Sequence, residues 1–398
     1  MEYIGIVAGK SGESIAKEVH KWGYKSALVA GKRGENGVVV SDAHVCLDLS
    51  KKEEIFSFFQ AFHVDKVIFA TGHILAIELA QYLKKQGMQI NINPGVSLLC
   101  NNKYALKNVM KEIGLRTPDY CEIKRGTDWI TQLKTIKFPV VVKSIKDIVT
   151  PQLVKGFEEL IEVVHELFIN EESVLLEQYI HGNDCSVVIL NDGKSIQVEG
   201  VLYWSKAQDD GLKGFFESYS VPLELEVEKR VKEAAVNLVQ HINALGLVRA
   251  DIIVENDIPY ILEINSVIYS NNSGSWYTIS SRKDGVYSAR LIVQGALRMF
   301  FGKQFDSLKK VEECLVFIDQ DKKPWAGQHH QYLTEQVVVK IKEFLGEENI
   351  TLSKENFEKL CSCIAYINKI NPDKITNQLT GECKMLLEKA MEFLDRKI

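Results

Sequence analysis

The feature that most restricts this chain is the stretch LVRADIIVENDIPYILEIN, residues 247–265. Two β-rich runs flank the turn signal Glu255-Asn256-Asp257, so the stretch reads as a hairpin. With Asp257 at the turn centre, antiparallel pairing sets Asp251 opposite Glu263 and Arg249 opposite Asn265. Side chains alternate along a strand, so these four share one face. Ala250, Ile252 and Val254 share the other with Tyr260, Leu262 and Ile264, an apolar face expected to pack on a core. Two carboxylates directly opposed are destabilising unless something offsets them. A hard divalent cation does so: Mg²⁺ takes carboxylate and amide oxygens and keeps positions for substrate phosphates. Arg249 beside the acids suits a phosphate or a developing oxyanion. The competing reading is a solvated hairpin in which Arg249 only pairs with Asp251.

Further candidates lie upstream. Lys143 closes the apolar run FPVVVK, where its ammonium could meet a phosphate or simply end a strand in solvent. In LLEQYIHGNDCSVVIL, Glu177 and the backbone around Ile180 could pair with a purine edge, and Asp184 could accept from ribose hydroxyls. An ordinary strand edge with surface acids is the alternative. GIVAGKS near the N-terminus has three residues between Gly5 and Gly9, one short of a P-loop, and reads as a tight strand-to-helix turn.

Around these motifs the first hundred residues alternate strand and helix: strands at Tyr3–Ala8, Lys25–Ala30 and Val67–Ala70, helices over about 14–22 and 75–85. That spacing predicts an α/β domain with a parallel sheet, whose ligands lie at the carboxyl ends of the strands. Asn102 caps a helix over 103–113, which Gly114 ends. From 138 to 265 the β-rich runs, interrupted by a helix over 224–245, predict an α+β domain with mainly antiparallel sheets. Beyond 286 the pattern turns helical, most clearly from 353 to 398. The expected domains are therefore 1–100, 101–300 and a helical segment 301–398 of unassigned role.

Composition bounds the function. The chain of 398 residues carries 48 Lys and Arg against 53 Asp and Glu, a balance that argues against a nucleic-acid or membrane-surface binder. Eight scattered cysteines form no C-x-x-C pair, and no apolar run is long enough to span a bilayer. Together with the lack of a signal-peptide pattern, this makes the cytoplasm the expected compartment.

Taken in order, these motifs resemble the ATP-grasp superfamily of carboxylate–amine and carboxylate–thiol ligases, over about residues 1–300. NNKYALKNVMKEIGLRTPDY looks like the family's lysine-bearing helix and the turn after it. The resemblance implies that Lys103 and Lys143 contact ATP phosphate, that Glu177 and Ile180 meet adenine, and that Asp184 meets ribose. It makes Asp251, Glu263 and Asn265 ligands of magnesium or manganese and Arg249 the phosphate- or oxyanion-binding arginine. It also implies a lid, for which the loop from Lys206 to Phe216 is the candidate, with Lys206 a further phosphate contact. Where the family has a glycine-rich phosphate loop, SIKDIVTPQLVKGF carries Pro151 and bulky residues, so Lys146 or Thr150 would have to substitute. After Asn265 the Pro-Gly of the D-alanine ligases is absent, Val267 stands at the carboxylase arginine position, and NNSGSWYTI resembles the loop of a purine-pathway carboxylating synthetase.

Three functions follow from this resemblance. The first is a ligase that activates a small-molecule carboxylate as an acyl phosphate for attack by an amine. The second is a bicarbonate-activating carboxylase acting on aminoimidazole ribonucleotide. The third is an ATP-binding regulatory protein without turnover. A homodimer is compatible with each.

Overall fold

A computed structural model describes residues 2–31, 37–133, 136–145, 151–204, 223–268 and 286–302. By compactness, residues 2–19 and 25–299 form one unit, and residues 1, 20–24 and 300–398 form another. Of the second, only 20–24 and 300–302 are described, with Tyr24 stacked on Phe301. The helical segment expected after 302 lies outside the described residues.

The larger unit opens with five strands: β1 (Tyr3–Val7), β2 (Lys25–Ala30), β3 (Ala43–Cys46), β4 (Lys66–Phe69) and β5 (Gln89–Ile90). All pair in parallel in the order β3-β2-β1-β4-β5, as strand–helix alternation predicts. The intervening helices are α1 (Gly12–Lys21), α2 (Lys52–Ala61) and α3 (Ile74–Lys85). Strands buried on both faces, such as β1 and residues 67–69 of β4, read as apolar runs.

Two short helices, α4 (Pro94–Cys100) and α5 (Lys103–Glu112), lead out of this sheet. The Asn102 side chain accepts from Ala105 N–H at 3.0 Å and caps α5; Gly114, at φ +74°, follows its end. Next come β6 (Tyr120–Lys124), helix α6 (Trp129–Gln132), β7 (Val140–Ser144), β8 (Gln152–Val154), α7 (Phe157–Leu167) and β9 (Ser173–Gln178). The four strands form an antiparallel sheet, β6-β9-β7-β8. One face, with Val140, Val142, Val174 and Leu176, packs on α7 through Leu160, Val164 and Leu167. The other carries Lys143 and Glu177.

A second antiparallel sheet contains β10 (Asn183–Asn191), β11 (Ile196–Trp204), β12 (Gly246–Glu255) and β13 (Ile258–Asn265), ordered β11-β10-β12-β13. Helix α8 (Leu225–Ile242) covers one face with Val231, Ala235, Leu238 and Val239. Asn243, at φ +54°, ends α8 in the left-handed conformation. Helix α9 (Val286–Phe301) closes the described chain.

The β12–β13 hairpin departs from expectation in one respect. Its turn has two central residues, Asn256 and Asp257, both at positive φ (49° and 63°), with Glu255 opposite Ile258. A bulge between Asp251 and Ile252 then shifts the register by one, so Ile252 faces Ile261 while Asp251 still faces Glu263. The expected polar quartet is therefore in place, but the apolar face differs: Ile261 is fully buried beside Ala250, Ile252, Val254 and Ile264. Tyr260 and Leu262, expected on that face, are only half-buried.

Candidate active site

The site lies where the polar faces of the two antiparallel sheets meet α5. On the second sheet, Arg249 pairs with Asn265 and Asp251 with Glu263; on β10, Ser186 lies opposite Asp251 and Asp184 opposite Ile253. Asp184, Ser186, Asp251 and Arg249 thus share one face, opposite the one that packs on α8. The Ser186 hydroxyl donates to Asp251 Oδ1 at 2.6 Å, and Arg249 Nη2 and Asn265 Nδ2 donate to Asp251 Oδ2 at 2.6 and 3.0 Å. Asn265 Nδ2 also reaches Glu263 Oε1 at 3.4 Å.

Helix α5 supplies the facing charge. Lys103 Nζ stands 3.7 Å from Glu263 Oε2, with its side chain 4% exposed. One turn on, Lys107 Nζ donates to Thr117 Oγ1 at 2.7 Å and stands 3.3 Å from Glu177 Oε1. That second contact is an ion pair not aligned as a hydrogen bond, since Glu177 Oε1 has no hydrogen-bond partner. Lys143 Nζ, on β7, donates to Glu177 Oε2 at 2.9 Å. Glu177 is 2% exposed, whereas Asp251 and Glu263 keep 19% and 26% of their side-chain surface. A carboxylate sealed between two ammonium groups serves as their counter-ion; the two open acids can still meet a ligand.

Titration follows from these neighbours. Burial works against ionisation of Glu177, but the Lys143 and Lys107 charges outweigh it and hold its carboxyl below the usual range. Burial likewise opposes ionisation of Glu263, and Lys103, Lys143 and Arg249 overcome it. Asp251 moves the other way: burial, joined by the Glu263 charge, pushes it up despite Arg249. Burial lowers the Lys107 ammonium to about 8.

Two adjacent carboxylates and an amide, partly open and all hard oxygen donors, fit a Mg²⁺-type cation. Among the described residues no group of three His, Cys, Asp or Glu side chains converges. Val267, just past Asn265, packs on the core of the parallel sheet, and a Cβ on Gly72 would lie 3.5 Å from its carbonyl oxygen. The loop at the carboxyl end of β4 therefore lies beside the end of β13.

The structure thus gathers Lys103, Lys143, Glu177, Arg249, Asp251, Glu263 and Asn265, and sets Asp184 on the same sheet face. Ile180 is buried in the β9–β10 connection, where His181 N–H donates to Glu255 Oε1 at 2.9 Å. Lys206 and the 206–216 loop, Lys146, Thr150 and the NNSGSWYTI run lie outside the described residues. Sequence reasoning passed over Lys107, Thr117 and Ser186. The signals were there: Lys107 is one helical turn from Lys103, and Ser186 is two strand residues from Asp184.

The family model for the D-ala D-ala ligase C-terminus matches residues 109–294. A D-alanine–D-alanine ligase of Bacillus cereus is 27% identical over 179 residues, 43% of this chain and 58% of its own length. One of Clostridium beijerinckii is 29% identical over 185 residues, 44% of this chain and 60% of its own. The match thus spans less than two thirds of these relatives. Among solved structures, the L-amino acid ligase of Bacillus licheniformis superposes with TM-score 0.61 at 18% identity, covering 75% of this chain and 74% of that one. The N5-carboxyaminoimidazole ribonucleotide synthetase of Thermotoga maritima superposes with TM-score 0.59 at 18% identity, covering 75% and 76%. These likenesses extend the shared fold to the parallel sheet.

Proposed function

From its kinship over residues 109–294 with the ATP-grasp carboxylate–amine ligases, we propose that this chain is an ATP-dependent carbon–nitrogen ligase requiring Mg²⁺ or Mn²⁺. The observation that supports the reading is the placing of the Lys103 and Lys143 charges against Glu263, with Asp251 and Asn265 beside it on the hairpin. A divalent ion there supplies charge neutralisation at the terminal phosphates of ATP.

Lys103 and Lys143 bind the phosphates, and Asp184 and the backbone at Ile180 hold ribose and purine. A substrate carboxylate oxygen attacks the γ-phosphorus, the bond to the bridging oxygen breaks, and ADP leaves. Arg249 stabilises the oxyanion as an amine adds to the acyl phosphate. The carbon–oxygen bond to phosphate then breaks, phosphate departs, and the amine gives up a proton. Lys206 and its loop would exclude water from the acyl phosphate.

The similarity to carboxyaminoimidazole ribonucleotide synthetase supports a second reading, with bicarbonate as the carboxylate. Release of ADP and phosphate separates the two: stimulation by an amino-acid panel supports the ligase, and stimulation only by bicarbonate plus aminoimidazole ribonucleotide supports the carboxylase. ATP binding without turnover under either condition overturns both.

A further inference from the structure

The ligase reading leaves one buried charge without a task. Lys107 is fully buried on α5 and reaches the candidate site through Glu177. Its ammonium is bracketed by Glu177 on β9, Thr117 in the α5–β6 connection and the Tyr120 ring on β6, whose centroid lies 5.7 Å away. The charges of Lys143 on β7 and Glu263 on β13 also act on it, and Lys103 and Lys111 lie one turn away on its own helix. Burying an ammonium costs several kcal/mol unless it is paired, so a core lysine with one shared carboxylate calls for an explanation beyond packing.

Charge counting supplies it. Glu177 carries one negative charge and is gripped by two lysines, Lys107 at 3.3 Å and Lys143 at 2.9 Å. Without Lys107 the whole Glu177 charge would fall on Lys143 and weaken its attraction for a phosphate. With Lys107 that charge is shared between two ammonium groups, and Lys143 is the one whose charge also acts on Glu263 of β13. We propose that Lys107 is a positioning residue that acts through Glu177: it neutralises the carboxylate from behind and frees the charge of Lys143 for nucleotide phosphate. The inference rests on the ATP-binding part of the functional reading.

The test is the dissociation constant for ATP in excess Mg²⁺, measured by calorimetry at pH 7 and pH 9, with far-UV dichroism to check folding. Removing the charge in K107M should weaken binding about ten-fold at pH 7, and K107R should stay within about three-fold of the unsubstituted protein. Because the Lys107 ammonium titrates at about 8, unsubstituted protein should also weaken between pH 7 and pH 9. K107R, charged throughout, should not. In an E177Q background, K107M should cost less than about two-fold, since the two residues act as a unit.

Unchanged affinity in folded K107M, or K107R as weak as K107M, overturns the inference alone. If K107M does not fold, the K107R profile decides, and a pH 9 loss equal to that of the unsubstituted protein is the overturning result. Failure of the unsubstituted protein to bind ATP overturns the functional reading and this inference together.

Discussion

Glu177→Ala tests most sharply how the site is held together. The substitution leaves two ammonium groups, on side chains 1% and 10% exposed, with no carboxylate between them. Removing one partner of a buried ion pair costs about 3–5 kcal/mol, because the remaining charge stays desolvated. For a unit of this size that corresponds to a melting-temperature drop of roughly 10 °C. The exposed pair Lys17–Glu13, with side chains 58% and 30% exposed, is the control: E13A should change stability by less than about 0.5 kcal/mol. The effect also has a pH signature. The Lys107 ammonium sits at about 8 in the folded chain, below its ordinary 10.5, so the unfolded chain binds more protons between those values. Stability from this group therefore rises with pH across that window. The Glu177 carboxyl, held low, contributes stability above its ordinary 4.5 that is lost as pH falls. Thermal melting of the unsubstituted protein, E177A and E13A at pH 7 and pH 9.5 measures all of this. The E177A deficit should shrink at the higher pH, where Lys107 is neutral. A deficit under about 1 kcal/mol at pH 7, or one that does not vary with pH, would refute the buried-triad account.

Three further outcomes are expected. A Cβ on Gly182 would stand 2.1 Å from the Val254 carbonyl oxygen, a backbone atom that cannot swing aside, so G182A should cost about 2–4 kcal/mol by chemical denaturation. G156A, with nothing within 4 Å of its Cβ, should cost about 1 kcal/mol or less, the loss of a glycine N-cap on α7, and equal losses in the two variants would dismiss the packing argument. The bulge makes Ile261, not Leu262, the core residue of β13; I261A should lose about 2–5 kcal/mol and L262A about 1, and the reverse order would contradict the register.

The hairpin was legible because strand periodicity needs only parity: Arg249, Asp251, Glu263 and Asn265 share a face for any pairing that keeps Asp251 opposite Glu263. The bulge was not legible. Leu262 is as apolar as Ile261, and nothing local marks which is extruded when a two-residue turn at Asn256-Asp257 meets a register set farther up the strand. The Asn102 cap and Gly114 stop carry their physics in single residues, so α5 could be read directly. Lys107 could not, since a helical lysine is usually solvated, and only the arrival of Glu177 from a strand some seventy residues later in the chain makes its burial tolerable. Helix α7 has an apolar 3–4 spacing at Leu160, Val164 and Leu167 that the neighbouring β-rich runs overshadow.

The carboxylate pair of β12 and β13, Asp251 and Glu263, is the centre of the proposed metal–nucleotide site. Equilibrium binding of ATP with and without Mg²⁺, compared between the unsubstituted protein and Glu263→Ala, measures it directly. Tight, Mg²⁺-dependent binding that loses its metal dependence in folded E263A is the expected result. Metal-dependent binding undiminished in E263A would contradict the assignment.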